Sequence, residues 1–261
     1  MWRSLVAHLA WDEGAARSNR VIPTIFIFSM FSLFVNLFKY FIPIDSFIKK
    51  LKEFYLYKNN NNVFIIKNIN GKKIRKLVKT NGQIKGLHII FVNAKNNIIE
   101  IEEPFKFKNV VFCVNGDNNL ISIKENSHIY KHYINISLGA KCIIGKNFKS
   151  VYNGNFQLGG FASLNIGDNC LFSRNISIYA GDGHIVKDLN SHEILNWVLH
   201  PVSIGNHVWV GDSSMILKNS IIPSGSIVAA NSLVNKEFQE KNIIIAGNPA
   251  KIIKKNIYWE Y

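Results

Sequence analysis

Between Ile204 and Val234 an aliphatic residue returns at every sixth position without interruption: Ile204, Val210, Ile216, Ile222, Val228 and Val234. Helices repeat near 3.6 residues and single strands at 2, so neither accounts for a period of six. Four places after each of the first five stands serine or a compact valine, at Val208, Ser214, Ser220, Ser226 and Ser232, which fixes a second column. Together the columns describe a parallel β-helix of hexapeptide repeats. Each hexad is one short strand plus a turn, and successive coils stack their aliphatic side chains into a continuous core.

The phase recurs upstream in shorter runs, Ile166, Phe172, Ile178 and Leu138, Ile144. Gly139, Gly145 and Gly167 each follow an aliphatic residue, where a turn needs a small or positive-φ residue. From Asp182 to Pro201 the aliphatic column disappears and the run from His184 to His192 is mostly polar. That stretch predicts a loop thrown out of the coil, the kind of insertion that sits on the binding face of a repeat protein.

The Ile/Asn/Gly-rich chain from about Asn60 onward shows no second core, so one elongated all-β domain is expected over residues 63–253, with a tail at 254–261. Cys113, Cys142 and Cys170 are odd in number and lack paired metal-ligand spacing. Cys142 and Cys170 fall in the small-residue column and read as buried packing residues in a reducing compartment.

The first sixty residues are a different text. Residues 1–20 are Ala/Arg/Trp-rich and lack the Ile, Lys and Asn bias of the rest, so they read as a foreign leader or a start placed too far upstream. Residues 21–62 read as an apolar then basic amphipathic helical segment and a polar linker. The run Val21 to Phe38 barely reaches the length of a membrane span and is diluted by Pro23, Ser29, Ser32 and Asn36. The basic helix beyond it either lies on a membrane surface or packs on the end of the coil.

A net charge of +14 asks for an anionic partner. The lysines are scattered among asparagine and isoleucine with no recognition-helix or base-stacking pattern, so nucleic acid is not the expected partner. Lys218 and Lys236 stand eighteen residues apart at equivalent hexad positions. If three hexads make one coil they stack on one face, where like charges are unfavourable unless screened or bridged by an anion such as a phosphate. Side chains alternate along a strand, so the residues just before the core column, Trp209, Met215, Ile221, Ile227 and Leu233, face outward. All five are apolar, and the row visits all three sides. An oligomer with long side-by-side contacts and a ligand groove between chains is expected.

The run Ile204 to Gly211 (IGNHVWVG), the hexads after it, the closing Ala246 to Lys251 (AGNPAK) and the upstream Asp182-Gly183-His184 with its loop resemble the left-handed β-helix acyltransferases of the hexapeptide-repeat family. The resemblance covers about Leu138 to Ile253. The tail Lys254 to Trp259 is similar, more narrowly, to bacterial capsular-polysaccharide O-acetyltransferases, including those acting on polysialic acid. The resemblance implies a homotrimer, acetyl-CoA in the groove between adjacent β-helices, no metal, and direct acetyl transfer to a saccharide hydroxyl. An anionic acceptor would suit the charge, and the expected location is the cytoplasm, with the N-terminal helix available for contact with the inner membrane.

By the same resemblance His184 matches the family's catalytic histidine, a general base for a hydroxyl that is a poor nucleophile near neutral pH. Ile185 stands where members often carry proline. Trp209 matches an aromatic position beside the thioester arm. Lys236 and Lys251 match positions that meet the CoA phosphates, Ala230 joins the cofactor set, and Lys218 is added by the stacking argument. Asn155 matches an acceptor-binding asparagine. Three rivals stay open: the same chemistry on a nucleotide sugar or small molecule, a non-catalytic binding or structural β-helix, and a zinc enzyme using His184, His200 and His207. The last is disfavoured because His207 sits inside a hexad.

Overall fold

The computed structural model describes residues 62–67, 73–77, 81–84, 86–196 and 201–261, all in the second of two units into which the chain divides after Lys52. The leader and helical segment expected over residues 1–61 lie outside the described residues, as does His200.

Three eight-stranded sheets form the sides of a parallel β-solenoid. The chain visits them in fixed order, from Leu120–Ile123 in the first to Ser127–Tyr130 in the second and His132–Ser137 in the third, then back to Lys141–Ile144 in the first. No helix occurs among the described residues. Antiparallel strands close the ends, Lys73–Leu77 and Asn81–Ile84 at one and Ala250–Lys254 at the other. They occupy edges that would otherwise offer unpaired backbone groups to another chain.

The strict hexad holds only in the last coils. There Ser203 pairs with Ile221, Trp209 with Ile227 and Met215 with Leu233, each 18 residues on. Earlier coils are longer: His132 pairs with Gly154, Lys141 with Ser163 and Lys149 with Leu171, each 22 residues on. The four added residues lengthen the third and first sides. Each of those sides turns three side chains inward, Ile176, Ile178 and Ala180 or Ala162, Leu164 and Ile166, whereas the second turns in Cys170 and Phe172. The six-residue phase slips upstream for this reason. It also corrects one expected core position: Leu138 is 57% exposed at the corner between the third and first sides, with φ of 46°, and Ile136 and Ala140 are the buried neighbours.

The small-residue column is internal, as its spacing predicts. Val208, Ser214, Ser220, Ser226 and Ser232 are buried, and the serine hydroxyls find backbone partners, Ser214 Oγ donating to Ala229 O at 2.9 Å and Ser220 Oγ to Val234 O at 3.0 Å. A buried hydroxyl is tolerated only when bonded in this way. Cys142 and Cys170 share the column, and burial pushes both thiols up to about 12. They are packing residues.

The corners are made by asparagine more than by glycine. Among the described residues, thirteen of the nineteen non-glycine residues with positive φ are asparagine, whose short polar side chain tolerates the left-handed region. Gly145 and Gly167 are small for a different reason. A Cβ on Gly145 would lie 2.6 Å from the carbonyl carbon of Gly167, and one on Gly167 2.7 Å from that of Gly205. Successive coils touch there.

A histidine lies deep in the solenoid. His132 is 2% exposed, its Nδ1 is 2.9 Å from the Tyr130 carbonyl and its Nε2 is 2.9 Å from Ser150 Oγ. Gly154 leaves room for the ring, since a Cβ there would fall 2.0 Å from Nε2. A neutral imidazole satisfies both contacts, Nδ1–H donating to the carbonyl and Nε2 accepting from the hydroxyl. Burial pushes His132 down to about 4, against the raising effect of the Tyr130 carbonyl. The unfolded chain takes up this proton near pH 6.5 and the folded chain only near 4. Stability is therefore full above the upper value and falls as pH drops through the interval, by about 3 kcal/mol in all. Urea unfolding at pH 7 and 4.5 checks this: the loss on acidification should be smaller in His132→Gln by about 2 kcal/mol.

Candidate active site

The change of coil length falls at one corner. The third side ends at Tyr179, the loop leaves through Gly181, and the chain returns at Val202–Ile204 to begin the 18-residue coils. Wide coils on one side of this level and narrow coils on the other leave a step between the third and first sides. A cavity of about 400 Å³ fills the step, lined by Leu138, Gly160, Phe161, Asp182, His184 and Lys218 among others.

The loop is held in a defined shape. Asn196 Nδ2 donates to the His184 carbonyl at 2.7 Å and to Asp182 Oδ2 at 2.8 Å, and Asn196 Oδ1 accepts from the Val186 N–H at 2.8 Å. Farther out, Lys187 and Ile194 bridge antiparallel, and Asp188 Oδ1 accepts the N–H groups of Asn190 and Ser191. Lys218 forms an ion pair with Asp182 and ties the loop to the coil. The ammonium beside it, helped by Asn196, holds the Asp182 carboxyl below the usual carboxylate range despite partial burial. The His184 backbone is thus fixed while its ring stays exposed at the cavity.

The other sequence-derived positions divide between two regions. Lys218 and Lys236 do stack, because Met215 pairs with Leu233 and Ile216 with Val234 just before them. Each ammonium has its own partner, Asp182 for Lys218 and the Phe238 ring, 5.3 Å away, for Lys236. Trp209 lies on the outer face of the second sheet, 37% exposed, with Nε1 donating to Ser173 Oγ at 3.1 Å. Lys251 is exposed on a strand of that sheet, and Ala230 is exposed at the corner leading to the third. In a three-sided solenoid the His184 corner is opposite the second side, so one chain does not bring His184 and Trp209 together. Asn155 sits outward on the third sheet at one end of a chain of amides: Gln157 donates to it at 2.6 Å, Asn135 to Gln157 at 2.9 Å and Asn115 to Asn135 at 2.6 Å.

His207 belongs elsewhere. Its ring stacks on Trp259 with centroids 4.1 Å apart, its Nε2 is 2.9 Å from the Trp259 carbonyl, and Trp259 Nε1 donates to its backbone carbonyl at 3.0 Å. It pins the C-terminal tail at the corner between the first and second sides and shares no site with His184. Asn196 is the residue that sequence reasoning missed: it lies in the stretch without repeat, where no column marks it.

The sequence matches no family model. It is 30% identical over 195 residues to a polysialic acid O-acetyltransferase of Neisseria meningitidis, covering 67% of this chain and 90% of that protein. Over 140 residues it is 32% identical to a polysialic acid O-acetyltransferase of Escherichia coli O1:K1, covering 53% of this chain and 44% of that longer protein. A crystal structure of a polySia-specific acetyltransferase matches with a TM-score of 0.63 at 28% identity, covering 78% of this chain and 86% of that one.

The loop clamp has a direct consequence. Asn196→Ala removes three hydrogen bonds, each worth about 1 kcal/mol, and should speed tryptic cleavage at Lys187 by roughly tenfold or more. The melting transition of the solenoid should not move.

Proposed function

The chain belongs to the left-handed β-helix acyltransferases of the hexapeptide-repeat family, and from that membership and the His184 corner we propose that it transfers an acetyl group from acetyl-CoA to a hydroxyl of a bacterial surface saccharide. The observation that carries this reading is an exposed histidine on a clamped loop, opening on a cavity of about 400 Å³ at the step in the solenoid.

In this reading the neutral His184 imidazole takes the proton of the acceptor hydroxyl as its oxygen attacks the thioester carbonyl. The tetrahedral intermediate then collapses, the C–S bond breaks, and the imidazolium returns the proton to the departing CoA thiolate. A backbone N–H of a neighbouring coil holds the oxyanion. Trp209, Ala230, Lys236 and Lys251 take the donor, the indole beside the acyl arm and the ammonium groups on the phosphates. Lys218 joins them by exchanging Asp182 for a phosphate. Asn155 meets the acceptor, its amide N–H groups having no protein partner among the described residues.

The separation of His184 from Trp209 within one chain supports a trimer, in which the corner of one protomer meets the second side of the next. So does the outward row: Trp209 and Met215 are each 37% exposed although large and apolar. The reading puts the enzyme in the cytoplasm, with the basic segment before residue 62 available to the inner membrane. A nucleotide sugar or small-molecule acceptor fits the same chemistry. Thiol release from acetyl-CoA with a panel of bacterial glycans, against nucleotide sugars, distinguishes them, and no release with any acceptor leaves a non-catalytic β-helix.

His184→Ala should lower turnover by roughly 10²–10⁴-fold, the usual worth of a general base, while CoA binding persists. Near wild-type turnover would remove the assignment. Lys236→Ala should weaken donor binding chiefly at low salt, where the phosphate contact is least screened, without changing kcat. Light scattering at micromolar concentration should give three times the mass of one chain, and a monodisperse monomer would contradict the shared groove.

A further inference from the structure

The outer face of the second sheet changes character along the solenoid axis. In its last coils the outward column runs Leu171, Trp209, Ile227. In the earlier coils the same column is Lys106, His128 and Lys149, paired in direct register. Beside it stand Lys108 and Tyr130, also in register, with Lys131 at the corner. Neighbouring strands lie ~4.8 Å apart, so Lys106 and Lys149 are roughly 10 Å apart on one line.

None of Lys106, Lys108, Lys131 and Lys149 forms an ion pair among the described residues, whereas Arg174, one coil on from Tyr152, is closed off by Asp212. The lysines meet aromatic rings instead. Lys131 Nζ lies 4.7 Å from the Tyr152 ring centre and donates to its hydroxyl at 2.9 Å, and Lys149 Nζ lies 4.3 Å from that of Tyr261. An open hollow of about 420 Å³ runs between Lys108, Asn109, Tyr130, Lys131, Val151 and Tyr152. The positive field is felt within the fold: burial lowers the pKa of His128, and Lys106 and Lys149 lower it further.

His128 stands between Lys106 and Lys149, so the ammonium groups do not abut, yet together they form a positive stripe with no ion-pair partner among the described residues, and a second copy of this chain, itself carrying a net charge of +14, is poorly suited to supply one. An extended anion matches the spacing of the stripe. We infer that this stripe is a binding site for an acidic polysaccharide, lying along the solenoid axis with its carboxylates on Lys106, Lys108, Lys131 and Lys149 and its pyranose faces against Tyr130, Val151 and Tyr152. It is separate from the His184 cavity, which opens at the opposite corner. It rests on the saccharide-acceptor reading above and adds a surface that holds the polymer at a distance from its reacting hydroxyl. Such a stripe concentrates the polymer without touching the chemistry.

The test is equilibrium binding of the full chain, without acetyl-CoA, to polygalacturonate, to neutral dextran and to single-stranded DNA. Polygalacturonate should bind most tightly, and its affinity should fall steeply as salt screens the lysines. The doubly substituted Lys106→Ala/Lys149→Ala protein should bind it roughly tenfold more weakly. Lys95→Ala/Lys141→Ala, which removes the same charge away from the stripe, should not. Equal binding of dextran, tighter binding of DNA, or equal losses in both double variants would each overturn the assignment. Because no turnover is measured, binding can succeed where the acetyl-transfer reading fails, and the reverse.

Discussion

Every coil of this solenoid must lie in register on the one before it, because the backbone hydrogen bonds of each strand are made only to its neighbours along the axis. Trp209 N–H donates to Ser226 O at 3.0 Å, Met215 N–H to Ser232 O at 2.8 Å and Gly211 N–H to Val228 O at 2.7 Å. Breaking register would leave buried N–H and C=O groups unpaired, at a cost of several kcal/mol per strand. Alternation adds a second rule. A side can lengthen only by an even number of residues, or every later side chain would exchange inside for outside. The coils obey it: the 22-residue and 18-residue coils differ by two residues on each of two sides, and the column of buried aliphatic residues runs through the change unbroken.

The same rules say where a loop can leave. Excess chain must exit at a corner, since an insertion within a strand would shift the ladder. It exits where two sides shorten together. Gly159 and Gly181 close the coils beside that exit, a Cβ on Gly181 falling 3.2 Å from the Gly159 Cα. The floor of the His184 cavity is therefore stacked backbone, and the loop above it is tied down by the Asp182–Lys218 ion pair and the Asn196 hydrogen bonds. A histidine on this loop is positioned by the coil rather than by loop sequence alone.

How much of this was legible in the sequence follows from which features are periodic. The 18-residue coils were legible because Ile216, Ile222 and Val228 repeat without a miss, and so was the outward row at Trp209 and Met215. The 22-residue coils were not, since 22 is not a multiple of six, and Leu138 was misplaced in the core for that reason. Asparagine read as compositional bias, yet it turns the corners at positions such as Asn153 and Asn175. Buried Asn62, Asn97 and Asn119 also form a ladder, Asn62 Oδ1 accepting from the Asn97 N–H and side-chain amide and Asn97 Oδ1 from those of Asn119. Only a fold that stacks successive coils, bringing together residues 35 apart at Asn62 and Asn97 and 22 apart at Asn97 and Asn119, gives those asparagines a reason. His184 was visible through its motif and the break in the repeat. Asn196, which holds it, was invisible because a hydrogen bond across a loop leaves no period.

The outer faces are freer than the core, so their chemistry records what each level of the solenoid meets. Inward positions are confined to aliphatic, aromatic and small residues by packing, but outward positions on the second sheet change from Lys106, His128 and Lys149 to Leu171, Trp209 and Ile227 over six coils. Folding alone gives no reason for that change, since both sets make the same backbone ladder. An apolar stretch is suited to another protein surface and a lysine stretch without ion pairs among the described residues to an anion. The tail joins the two levels: Trp259 packs 6.1 Å from Trp209, and Tyr261 meets Lys149 and donates its hydroxyl hydrogen to Asn169 O at 3.0 Å. The boundary between the apolar and basic levels thus falls beneath the C-terminal residues, which touch Trp209 on one side of it and Lys149 on the other.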